Sequence, residues 1–170
     1  MSRLLSLGMS FMFFAGCSGQ AVARYDSNLS DVLKSMNVAL VSERSSTLPR
    51  LLEQAQFLRR VAPNDPRVLD MLGCVYFRMG DLHSSRRHFE DALRLDPAYA
   101  RATTNLGILE FASGDLVAAS QLFASAIEAN PAEYQAYRYA AEVATRLGEN
   151  DLAQKNRAIF QMLAPTLARE

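Results

Sequence analysis

Small, apolar and helix-breaking residues recur along this chain at a single interval. Prolines stand at Pro63, Pro97, Pro131 and Pro165, each 34 residues from the next, and Gly80, Gly114 and Gly148 keep the same spacing. Gly73 and Gly107 repeat it again and Ala141 continues it. Leu72, Leu106 and Ala140 precede them, and Phe89 with Phe123 and Ala92 with Ala126 complete the pattern. A period of this length is that of stacked helix-turn-helix units. Within each unit a glycine ends the first helix, where a left-handed C-cap costs it little, and the proline stops the second. Asp65 and Pro66 are a cap and a first helical residue for a helix running through Met79. Gly73 and Gly107 have no side chain, so the pattern predicts that the two helices of a unit cross closely there. Ala92 and Ala126 are equally small on the second helix, and Leu72, Tyr76 and Phe89 fill the remaining space. No unit can bury its apolar face alone, so stability must come from stacking neighbours.

These positions resemble the tetratricopeptide repeat (TPR) family, whose units run Trp-x2-Leu-Gly-x2-Tyr and then Ala, Phe, Ala and Pro. Residues 66–99 carry Leu69, Leu72, Gly73, Tyr76, Phe89, Ala92 and Pro97. Residues 100–133 carry Leu106, Gly107, Ala119, Phe123, Ala126 and Pro131, and depart at Glu110, where an aromatic is expected. Residues 134–167 carry Tyr137, Ala140, Ala141, Ala153, Phe160 and Pro165, and depart at Arg157, where Phe is expected. Residues 32–65 form a degenerate first unit with Val38, Ala39, Leu51, Leu58 and Pro63. The resemblance implies an all-α fold, a TPR α-solenoid of three good repeats and one degenerate N-terminal repeat, over residues 29–167. It also implies a protein or peptide partner held in a concave groove lined by the first helix of each unit.

By that resemblance the second unit offers Arg67, Asp70, Cys74, Phe77 and Arg78 to the groove. The third offers Arg101, Thr104, Asn105, Ile108 and Phe111. The fourth offers Gln135, Arg138, Glu142, Thr145 and Arg146. Arginine and aromatic residues are common interface anchors, so the expectation is a row of arginine heads from Arg67, Arg101 and Arg138 with Phe77 and Phe111 as apolar anchors. On this reading neither Arg67 nor Arg101 is a packing residue. The alternative is that these arginines pair with Asp70, Glu142 and Glu110 and only keep the surface soluble. The clamp by which TPR co-chaperones grip a C-terminal carboxylate is not present. Only Asn105 fits it, and Asp70, Cys74, Gln135 and Tyr139 stand in its other places.

Ahead of the repeats the pattern changes. Arg3 is followed by an apolar run from Leu4 to Ala15, short of the roughly 20 residues that span a bilayer. A positive residue, a short apolar run and small residues read as an export signal. Phe14-Ala15-Gly16-Cys17 resembles the lipobox of bacterial lipoproteins, with Phe14 where that family prefers Leu. The resemblance implies a signal over 1–16, a lipid on Cys17, a polar tether over 17–28, and attachment to a membrane. Ser18 rather than Asp follows the cysteine, which points to the periplasmic side of the outer membrane. Ala21-Val22-Ala23 is a rival cleavage site that would release a soluble periplasmic protein.

Charge and candidate chemistry add exclusions. Hydrophobic residues make up 49% of 170, enough for a core, and 18 basic residues balance 18 acidic ones. A balanced charge offers no long-range field for nucleic acid. Cys17 and Cys74 belong to no CxxC pair, so neither a disulfide framework nor a zinc site is expected. His83 and His88 lie about 140° apart around a helix and share no face for a metal. No phosphate loop and no HExxH motif occurs, so the expectation is a protein without enzyme activity or cofactor. Small TPR lipoproteins of bacterial envelope machines, such as those assisting pilus or secretin assembly, are the nearest functional analogy. A soluble periplasmic adaptor or chaperone, and an accessory subunit of a polysaccharide or peptidoglycan enzyme, are the alternatives.

Overall fold

The computed structural model describes residues 29–36 and 47–164, so Cys17, the apolar run, the tether and Pro165 lie outside the described residues. Among the described residues every regular element is a helix: α1 over 29–36, α2 Leu48–Val61, α3 Pro66–Arg78, α4 Leu82–Leu95, α5 Ala100–Ser113, α6 Leu116–Ala129, α7 Tyr134–Leu147 and α8 Asn150–Leu163. From α2 onward each helix packs on its neighbours in sequence, giving an all-α solenoid of TPR type.

Local signals set the helix ends. Asp65 accepts a hydrogen bond from the Arg67 N–H and Pro66 opens α3. Asp81 caps α4 through the Ser84 N–H, and Asp115, 34 residues on, caps α6 through the Ala118 N–H. The last three helix pairs each turn on a glycine with positive φ, 81° at Gly80, 90° at Gly114 and 81° at Gly148. At Gly114 the turn closes as a Schellman motif, Asp115 N–H donating to Glu110 O and Gly114 N–H to Phe111 O.

The close helix crossings fall where the small residues predict them. A Cβ on Gly107 would stand 2.6 Å from Cε1 of Phe123, and one on Gly73 would overlap the Phe89 ring. Phe89, Phe123, Ala92 and Ala126 are buried. Ser85, deep between α3 and α4, donates to the Gly73 carbonyl at 2.8 Å. In the first unit, Leu29, Leu33 and Met36 of α1 are buried with Leu51, Ala55, Val68, Met71 and Leu72. Among the described residues Leu29, ahead of the expected unit start at residue 32, is already buried, while Val38 and Ala39 lie outside the described residues.

The face that each unit turns to the next changes character along the array. In the second unit it comprises Cys74, Phe77, Phe89 and Leu93, which pack with Leu106 and Leu109. In the third it comprises Ile108, Phe111, Phe123 and Ile127; the first three pack with Ala119, Tyr139 and Val143, and Ile127 with Ala126 and Ala136. The same four offsets in the last unit hold Glu142, Thr145, Arg157 and Gln161. Among the described residues the array therefore ends on a polar face, the composition a terminal repeat needs.

Candidate functional site

The first helices α3, α5 and α7 supply the residues expected to line a groove, and the structure sorts them into three groups. The first is drawn inward. Asp70 is only 1% exposed, held by Arg101 Nε at 3.1 Å and by Asn105 Nδ2 at 2.6 Å. Burial pushes its carboxyl up to about 6, against the opposing pull of Arg101 and Asn105. Asn105 Nδ2 also lies 3.5 Å from Cys74 Sγ, and burial followed by the nearby Asp70 pushes that thiol up. A protonated, enclosed thiol is a poor nucleophile. Thr104 is buried and bonds the Ala100 carbonyl within its own helix, so it does not reach the groove.

Arg67 and Arg101 do not form the expected row. Arg67 folds back on Asp65, with Nη2 2.7 Å from Oδ2. Burial raises the Asp65 carboxyl, but the bonds from Arg67 outweigh it and hold the group below its usual range. Arg101 serves Asp70. Both arginines are structural, and the reading that neither is a packing residue is corrected: removing Arg101 would leave a buried carboxylate uncompensated. With α1 lying across them, Arg67, Asp70, Tyr99 and Arg101 enclose a hollow of 170 Å³ completed by Ser30, Leu33, Lys34 and Met71.

The second group is consumed by stacking. Phe77, Ile108 and Phe111 are partly buried between units, and Phe111 meets Tyr139 edge-on at 6.1 Å. Their apolar surface is largely taken up by packing, because the apolar edge of each first helix is what the next unit covers. Glu110, which departs from the family pattern, reaches back to Arg86 of α4 at 2.6 Å and ties two units together. The position it replaces is Tyr76, which stacks on His88 at 5.2 Å. His83 is exposed and His88 half-buried, and they share no face.

The third group remains at the surface. Arg78 is exposed at the end of α3. Arg138 is exposed over the Tyr139 ring at 5.4 Å. Arg146 lies 4.1 Å above the Phe111 ring and 3.5 Å from Glu142. Arg138, Glu142 and Arg146, with Ala141 and Thr145 of α7, face Arg157, Phe160 and Gln161 of α8 across a hollow of 550 Å³. The α8 residues were not among those expected at the site, because second helices form the outer layer. The signal was nevertheless present, as Arg157 at the offset where the earlier units have Phe89 and Phe123.

An array of this kind defines a class: helical-repeat proteins, whose stacked units build an extended concave surface. A family model described as tetratricopeptide repeat matches residues 71–132. Two solved structures, "Crystal structure of MamA" and "Crystal structure of MamA protein", share the fold. The first is 16% identical, with a TM-score of 0.57 over 94% of this chain and 100% of that one. The second is 17% identical, with a TM-score of 0.55 over 86% of this chain and 88% of that one. No curated protein matches the sequence. The family model thus matches the middle of the array, and the two solved structures share its fold.

Proposed function

We propose that this protein is a non-catalytic interaction scaffold of the bacterial cell envelope, tethered by lipid at Cys17 to the periplasmic side of the outer membrane, where it assists assembly of a pilus or secretion machine. The observation that carries the scaffold reading is the array of stacked helix pairs from α2 to α8, a fold whose family typically binds proteins rather than transforming small molecules. The envelope reading rests on Leu4 to Ala15 and the FAGC sequence that follows.

Two measurements test it. Metabolic labelling with a fatty-acid analogue should mark the wild type and not Cys17→Ala; equal labelling of both removes the anchor, and a soluble protein cut after Ala23 becomes the better reading. For the scaffold itself, a photo-reactive residue placed at Arg78 or Gln135 on the first helices should yield discrete adducts with another protein in cells. The same residue at Val117, 63% exposed on α6, should not. Absence of adducts from every position would remove the scaffold reading.

A further inference from the structure

The last unit contains a substitution that works as a pair. In units two and three a glycine on the first helix lies against a phenylalanine on the second, Gly73 with Phe89 and Gly107 with Phe123. The corresponding residues of unit four are Ala141 and Arg157. The ring is gone and the Cβ it would have excluded is present. Arg157 instead donates from Nη2 to Thr145 Oγ1 at 2.8 Å, and the place where a ring would sit belongs to the 550 Å³ hollow between α7 and α8.

The charge around that hollow is unbalanced. Arg138, Arg146 and Arg157 line it against a single carboxylate, Glu142, which already lies 3.5 Å from Arg146. Among the described residues Arg138 and Arg157 have no carboxylate partner, and both are exposed. The floor is apolar, from Ala141 and Phe160. A terminal repeat needs only mixed polarity to stay soluble; three guanidinium groups around one acid in a concave site match a carboxylate, which guanidinium binds in a two-pronged fashion.

We infer that the open end of the array, between α7 and α8, is a docking site for an acidic segment of a partner protein, with a carboxylate on Arg157 and Arg138 and an adjacent apolar side chain on Ala141 and Phe160. The inference rests on the scaffold reading and gives it a partner chemistry.

The probe is a panel of labelled ten-residue peptides in which Glu or Asp stands beside Leu or Phe, with twins carrying Gln or Asn. Binding is measured by fluorescence anisotropy to the full chain. The wild type should bind the acidic peptides at least tenfold more tightly than their twins, with affinity falling as salt rises. Ala141→Gly with Arg157→Phe restores the glycine–ring pair and removes the Arg157 charge from the hollow. It should keep its helical circular dichroism and lose at least tenfold in affinity, and Arg138→Gln should weaken binding on an intact fold. Equal binding of acidic and amide peptides, or unchanged binding by both variants, overturns the site. Acid-selective binding that appears only after deletion of residues 165–170 would show that the chain's own C-terminal segment is the occupant. A dimer in the wild type that Arg157→Phe dissolves would assign the site to a second copy. Either result also overturns the inference. If photo-adducts form at Arg78 or Gln135 while the wild type binds acidic and amide peptides equally, the scaffold reading stands and this site alone falls.

Discussion

At the scale of single residues, Asp70 illustrates how a buried acid constrains its neighbours. Its periodicity on α3 predicts an exposed groove residue, but the chain encloses it under Arg101, Asn105 and Tyr99. The carboxyl is pushed up to about 6 from an ordinary value of 3.8, so between about pH 4 and pH 6 the folded protein holds a proton there that the unfolded chain has released. Such a group contributes stability that is full below about pH 4 and lost as pH rises through about 6. Asp70→Asn cannot titrate. Wild type should therefore gain roughly 2–3 kcal/mol relative to Asp70→Asn between pH 7 and pH 4, since each tenfold change in proton affinity is worth about 1.4 kcal/mol. Urea melts of both proteins across that range measure it; parallel stability curves would show that Asp70 titrates normally. Its position on the helix was legible in the sequence, but its burial was not, because burial depends on the Arg101 side chain of the next unit.

At the scale of the helix pair, the repeating glycine is a steric requirement. The Phe123 ring occupies the space a Cβ on Gly107 would need. The ring is fully buried and has nowhere to retreat. Gly107→Leu should thus cost at least the ~1–3 kcal/mol typical of overpacking, and lower the thermal midpoint by several degrees. An unchanged midpoint would mean that α5 and α6 do not cross at this glycine. This contact was readable in advance because a 34-residue offset aligns both partners of the crossing in units two and three. The pairing of Ala141 with Arg157 was legible only as two separate departures. Their connection across α7 and α8 emerges when the helices are packed.

At the scale of the whole molecule, the units form a chain of nearest-neighbour interfaces, so local stability depends on how many neighbours a helix has. Helices α3 to α6 are flanked on both sides by apolar interfaces. Helix α8 ends the described array on a polar face, and among the described residues α2 is preceded only by the short α1. Native-state hydrogen exchange should accordingly find the slowest amides in α3 to α6, with α2 and α8 opening at lower free energy. Uniform protection from α2 to α8 would show a single cooperative unit instead.

What the sequence by itself determined is the periodic part: the helix pairs, their glycine ends, the Asp65 cap of α3, and the close crossings at Gly73 and Gly107. These depend on backbone conformations and on residue size at fixed offsets, which repetition displays in the letters alone. What only the tertiary structure decided is which side of each first helix stays exposed. Phe77, Ile108 and Phe111 read as groove residues until the next unit is laid over them. Arg67 and Arg101 read as a free row until Asp65 and Asp70 claim them. The exposed cationic surface therefore moved to the last unit, where among the described residues no further repeat follows to cover α7 and α8. A residue's exposure is set by its neighbours in space, and in a stacked array those neighbours lie one whole repeat away in sequence.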